Sequence, residues 1–182
     1  MHTLDYLTEA SVICHRLDHA AIESIVDTLA AMKGKLYVIG MGGSMANAIH
    51  MAADLRKLCN IDAEAFDNIA ELTARANDEG LDTIFIDWLR NSTAWDKLMV
   101  LSVGGGVPEI SGAIVKAIDS FKGQILGIVG PEGGHTYRKS TACVRIPVEN
   151  PKHITPHTEA FQAVVWHLIV SHPKLQKNAT KW

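Results

Sequence analysis

Between residues 3 and 32 apolar side chains recur at helical spacing: Leu4, Leu7, Ile13 and Leu17, then Ile22, Ile25, Val26, Leu29 and Met32. Neither Gly nor Pro interrupts this stretch before Gly34. The pattern predicts two helices with a short break near Asp18. At residues 36–40 the period changes to a continuous apolar run, LYVIG, followed by GGS at 42–44. A helical pattern then extends from Ser44 to about Leu58, with the serine expected as its N-cap. The same succession returns downstream. Residues 98–103 (LMVLSV) read as a strand, 104–106 are three glycines, and a helix is expected from about Pro108 to Phe121. Residues 124–129 (QILGIV) form another strand pattern ending in GPEGG, 142–147 a shorter one, and 62–66 a weak edge strand. A last helix is expected from Pro156 to Ser171, stopped by Pro173.

Strands that alternate with helices and are apolar on both faces imply an α/β fold. The expectation is a three-layer α/β/α sandwich around a mostly parallel five-stranded sheet, with an N-terminal helical hairpin over residues 1–33 and the α/β domain over 34–182. Such sheets bind ligands beyond the carboxyl ends of their strands, where this chain carries GMGGS and SVGGG.

Composition narrows the class. The 182 residues are 47% hydrophobic and 20% charged, a globular balance. A formal charge of −3 provides no basic field for nucleic acid or an anionic membrane. No apolar run approaches the ~20 residues of a membrane span. The first residues carry acids and histidines where a secretion signal would carry lysines. Cys14, Cys59 and Cys143 are odd in number and lie in no CxxC spacing, so reduced thiols and a cytoplasmic location are expected.

Two glycine turns are the first candidates for chemistry. Gly40-Met41-Gly42-Gly43-Ser44 brings backbone N–H groups and a hydroxyl to a helix N-terminus, a setting that favours an anion. It lacks a P-loop lysine and departs from GxGxxG, and by itself reads equally as a tight strand–helix turn. Ser102-Val103-Gly104-Gly105-Gly106, with Ser111 soon after, repeats the arrangement on the next strong strand. Three bare glycines let several amides approach one phosphate. Together the turns point to a phosphorylated small molecule. His50 and Asp54 stand one helical turn apart on one face, and Glu159 and His167 two turns apart on the closing helix. Each pair alone is common on surfaces or in cores. Jointly they offer an N/O metal set or an acid/base set. Of the other histidines, expected mostly in loops or at exposed helix ends, only His157 draws interest, through its closeness to Glu159.

These residues resemble a family. GMGGSMANAIHMAADL at 40–55 is similar to the GNGGS, five residues, His, three residues, Glu of the phosphoheptose isomerases, which are sugar-isomerase (SIS) domain proteins. The likeness continues through Ala76-Asn77-Asp78, LMVLSV, IVKAI, GIVGPEGG and HTEAFQAVVWHLI. It implies one SIS domain that interconverts sedoheptulose 7-phosphate and an aldoheptose 7-phosphate through an enediolate. It implies a metal set, zinc, on His50, Asp54, Glu159 and His167, with acid/base roles for Asp54, His167 and Glu159. It further implies substrate and phosphate contacts from Gly42, Gly43, Ser44, Asn77, Asp78, Ser102 and Ser111, and where this chain departs from the family loop the amides of Gly104, Gly105 and Gly106 are expected to replace lost hydroxyl contacts. A homotetramer with sites between subunits and the 1–33 helices at the interface is also implied.

Three departures bear on that reading. Asp54 stands where the family has Glu, and Glu159 where it has Gln. The segment SVGGGVPEIS is longer than the family's STSGNS. Which of Asp54 and Glu159 is the base is therefore open. A non-catalytic sugar-phosphate-binding or scaffold protein of the same fold, or an isomerase of another sugar phosphate, is the alternative.

Overall fold

A computed structural model describes residues 1–180. Helices α1 (His2–Arg16) and α2 (His19–Ala31) are separated as the spacing predicts, because the chain leaves helical geometry at Leu17 and Asp18 caps the second helix: its side chain accepts the Ala21 N–H at 3.0 Å. Strand β1 (Leu36–Ile39) leads into α3 (Gly43–Cys59), followed by β2 (Ala63–Ala65). Three elements follow that the apolar pattern does not announce: α4 (Ile69–Asp78), a 3-10 turn at Leu81–Thr83, and the short α5 (Ile86–Leu89). The chain continues through β3 (Lys97–Ser102), α6 (Pro108–Ser120), β4 (Gln124–Val129), the short α7 (Gly134–Lys139), β5 (Ala142–Arg145) and α8 (Ile154–Val170). Pro156 lies inside the first turn of α8, where its missing N–H is unneeded.

The sheet has five strands in the order β2-β1-β3-β4-β5, and every pairing is parallel rather than mostly so. Successive side chains of β1, β3 and β4 alternate between two apolar layers. Val38, Met99, Leu101, Leu126 and Ile128 pack with α2, α3 and α8. Ile39, Leu98, Val100 and Ile125 pack with the α5–α6 side. This is the expected three-layer sandwich. Strand order reverses between β1 and β3: the chain leaves β1 for β2 on one side and β3 for β4 on the other, which opens a crevice beyond the carboxyl ends of β1 and β3. Among the described residues, no helix is long and apolar enough to cross a membrane. The three cysteines are free. Burial pushes the Cys59 thiol up to about 11 and the Cys143 thiol to about 12, which keeps both unreactive near neutrality.

Candidate functional site

The two glycine turns meet at this crevice but differ in build. In the first, the helix begins one residue earlier than expected, and its N-cap is Gly42, with φ 60° and ψ −130°. Only glycine takes that conformation easily. Ser44 is therefore not the cap. It lies inside the first turn, 1% exposed, and its Oγ has no hydrogen-bond partner. The N–H groups of Gly43 and Ser44 open the helix with no acceptor among the described residues. Above them a Cβ on Gly43 would collide with the carboxylate of Glu159. The start of α3 is thus an uncovered donor cluster with an acidic side chain laid across it. The Thr158 hydroxyl, beside Gly130 at the end of β4, is likewise buried and unpartnered. Buried hydroxyls left without partners mark a place where water or ligand oxygen is accommodated.

The second turn is closed on itself. Ser102 Oγ accepts the Gly105 N–H at 3.1 Å. The Gly105 carbonyl accepts from the Thr136 N–H and Oγ1, both at 2.8 Å, and the Gly106 carbonyl from the His135 N–H at 3.1 Å. The amides of Gly104 and Gly106 have no acceptor among the described residues. Ser111 marks a break at the start of α6, with φ −135° and ψ 48°. Its hydroxyl accepts the Val107 N–H at 2.9 Å and donates to the Val107 carbonyl at 3.2 Å, so it braces its own loop. Asn77 and Asp78 are exposed at the end of α4, hydrogen-bonded to each other at 2.7 Å. They connect to the α6 rim through the 3-10 turn, whose Asp82 pairs with Lys116.

Two turns along α3, three of the four expected metal ligands converge. His50, Asp54 and His167 each present a ligand atom within 4.8 Å of the others, and His50 Nε2 is 3.7 Å from Asp54 Oδ2. Glu159 lies outside this group, over the Gly43 turn. The His167 Nδ1 lies 2.8 Å from the Ala163 carbonyl. A carbonyl only accepts, so Nδ1 carries the proton and Nε2 keeps a lone pair for a metal or a proton. The N, N, O donor set suits a borderline divalent cation. The His50 side chain is 61% exposed and Asp54 19%, so the cluster opens to solvent.

Sequence reading missed the groups that hold this arrangement. Trp166 is fully buried and stacks on the His167 ring at 3.5 Å, with the His50 ring edge-on at 4.7 Å, so one indole backs both imidazoles. Asn47 donates to the Glu159 carbonyl (2.9 Å) and to Gln162 Oε1 (3.2 Å), and Gln162 donates to the Ile128 carbonyl (3.3 Å). These bonds tie α3, α8 and β4 together. A Trp beside the second histidine was the only available signal, and it is equally a core signature. His157 was expected among loops and exposed ends but is 1% exposed within α8.

No family model matches the chain. A phosphoheptose isomerase from Rhodospirillum rubrum is 30% identical over 146 residues, spanning 75% of this chain and 73% of that protein. Among solved structures, phosphoheptose isomerases from Neisseria gonorrhoeae (TM-score 0.77, 21% identity) and Francisella tularensis (TM-score 0.78, 19% identity) each cover 93% of this chain and are covered over 92% of their own. Those two likenesses concern the fold. The sequence likeness to the Rhodospirillum protein runs through most of both chains, on a fold whose switch-point crevice carries an open helix start. This chain therefore belongs to the phosphoheptose isomerase family.

Proposed function

We propose that the protein isomerises sedoheptulose 7-phosphate to an aldoheptose 7-phosphate by proton transfer through an enediolate. The observation that carries this reading is the convergence of His50, Asp54 and His167 beside an open helix start in a member of this family. Phosphate oxygens would be met by the free amides of Gly43 and Ser44 and the unpartnered Ser44 hydroxyl, with Gly42 leaving the approach clear. From the second turn, the amides of Gly104 and Gly106 would donate. Ser102, Gly105 and Ser111 would keep that loop in shape. Asn77 and Asp78 would reach the sugar only from the outer rim.

Asp54 takes the role of base for the carbon-bound proton, and His167, with its Nε2 free, shuttles a proton at the neighbouring oxygen. Glu159 faces the helix start and is assigned to substrate positioning. His50 and one oxygen of Asp54 are suited to hold a zinc ion while the other Asp54 oxygen takes the proton, His167 joins it only when its Nε2 is not carrying a proton, and Glu159 is the more distant fourth group of the set. Bound there, zinc would stabilise the charge that develops on the enediolate oxygen.

We place the protein in the cytoplasm as a homotetramer whose 1–33 helices pack against neighbouring copies. Two features support assembly. Leu4 and Leu7 of α1 are 64% and 61% exposed, and Ile49, Val164 and Leu168 stand exposed around the histidines. A different sugar phosphate is the second reading, favoured by the closed Ser102–Ser111 loop and the exposed Ile110 upon it.

The test is incubation of the zinc-supplemented protein with sedoheptulose 7-phosphate in deuterated water, followed by NMR. An aldoheptose 7-phosphate with deuterium at C2 is expected. No turnover of the heptulose, alongside turnover of a hexulose or pentulose phosphate, would move the assignment to the second reading. No turnover of any would leave a binding protein.

A further inference from the structure

Helix α1 is anchored in an unusual way. Fifteen residues long, it buries only Ile13, while Leu4, Leu7 and Val12 face outward. Polar contacts to the start of α8 hold it instead. Glu9 Oε2 lies 2.7 Å from His153 Nδ1 and 3.0 Å from His157 Nε2, and Glu9 Oε1 accepts the Asn150 amide at 2.8 Å. The Tyr6 ring stacks on His157 at 4.1 Å. We propose that Glu9, His153 and His157 form a second divalent-metal site, taking a first-row ion such as zinc, that staples α1 to the beginning of α8.

The donor set is two imidazoles and one carboxylate, with ligand atoms mutually within 4.8 Å. That set matches zinc sites in which three protein ligands leave a fourth position open. His153 is the N-cap of α8 and His157 lies four residues on, so one turn places both rings on the face turned towards Glu9. Both rings approach the same carboxylate oxygen, which fixes monodentate ligation. Bond lengths of about 2.0–2.1 Å put tetrahedral donors roughly 3.3–3.5 Å apart, so the two contacts to Glu9 would open by about half an ångström, while the two ring nitrogens already lie within 4.8 Å of each other. Asn150 would then serve as the outer partner that orients the carboxylate.

His153 Nδ1 and His157 Nε2 face Glu9, and Asn150 Nδ2 also lies 3.1 Å from His153 Nδ1. In the metal-bound form each neutral imidazole carries its one proton on the ring nitrogen turned away from Glu9, leaving the facing lone pair for the ion. The Asn150 amide holds Glu9 Oε1, which leaves Oε2 to face the two rings. Side-chain exposures of 28%, 19% and 1% for Glu9, His153 and His157 leave one open side. The site shares no residue with the His50 cluster, and His157 precedes His167 by ten residues, about 15 Å along the helix.

Metal counting on the full chain tests this. After zinc loading and removal of excess ion, two zinc per chain are expected. The His50→Ala/His167→Ala variant should keep one, and addition of His153→Ala should remove it. In the same background cobalt should give the intense visible bands of four-coordinate ligation, lost with His153→Ala. Zinc should raise Tm in the double variant and not in the triple one. Should His153→Ala prevent folding, Glu9→Gln substitutes for it, because glutamine keeps the shape and weakens only the ligation. A double variant that folds and binds no zinc overturns the proposal. So does a retained equivalent after His153→Ala or Glu9→Gln.

Discussion

The two ends of the sheet carry similar residue types in opposite states. At the amino end, ahead of β3, Asp96 is 7% exposed and its acceptors are filled. One oxygen takes the Lys35 N–H at 2.7 Å, and the other takes the Thr93 N–H at 2.6 Å and its hydroxyl at 2.9 Å. Ser92, on the approach to β3, is the one buried hydroxyl there without a partner. At the carboxyl end, Ser44 and Thr158 are buried and unpartnered, two amides open α3 uncapped, and three metal-competent side chains lie half-open to solvent. A buried polar group without a partner costs stability, of order 1–3 kcal/mol. Selection for stability alone would close both ends. Among the described residues the carboxyl end leaves more of its polar groups without a partner.

Five substitutions break or sharpen that contrast. The largest effect is expected from Asp54→Asn or His167→Ala, each lowering kcat at least ~100-fold, the usual scale for losing acid/base catalysis, with an unchanged melting curve. Steady-state turnover beside thermal melts checks it, and near-normal kcat removes the residue from the chemistry. At the other end Asp96→Ala should leave activity per folded molecule alone and cost roughly 2–4 kcal/mol at pH 7, since two backbone amides lose their acceptor. Burial opposes the Asp96 charge but is outweighed by the Lys35 and Thr93 donors, so its pKa lies below the ordinary 3.8. A depressed folded-state pKa means stability present above that ordinary value and lost on further acidification. The gap between wild type and variant in denaturant titrations should therefore be full at pH 5–7 and shrink below about 4.

Smaller effects follow at the open end. Glu159→Gln removes the negative charge over the α3 amides. KM for the sugar phosphate should fall about 3–10-fold, with kcat held within about threefold. A hundredfold loss of kcat would instead transfer the base role from Asp54 to Glu159. Ser44→Ala should be the mildest in stability, within about 0.5 kcal/mol, because no hydrogen bond is lost. Its KM should still rise several-fold. An unchanged KM would mean that the helix start does not meet the phosphate.

The regular elements were legible because their signals are local. Asp18 separates two helices, and continuous apolar runs followed by glycine give each of β1, β3 and β4. What escaped depends on contacts between distant segments. Helix α4 is amphipathic but short and fully buries no residue, and its inner face is little more than Leu72 and Ala76, one turn apart against the core. The Ser44 cap failed because Gly42, with a positive φ, can start the helix one residue earlier. His50 and Asp54 were readable as a pair from i, i+4 spacing. That His167 joins them while Glu159 stays at the helix start depends on how α8 lies along α3, through Asn47 and Gln162. The Glu9–His153–His157 cluster joins residues more than 140 positions apart, so the i, i+4 spacing of the two histidines does not reveal the carboxylate they meet.

The edges of the sheet carry a last consequence. Strand β2 is three residues long, with acidic Glu64 at its middle, and β5 is four. Such short borders offer too few free backbone groups to recruit another strand. Sheet extension between copies is thereby discouraged, and any association is directed onto helical surfaces. Exposed apolar side chains stand instead on helices, Leu4, Leu7 and Val12 on α1, Ile49 on α3, and Val164 and Leu168 on α8. In this architecture the features that discourage strand-to-strand aggregation and the apolar patches lie on different parts of the molecule, so either can be altered without the other.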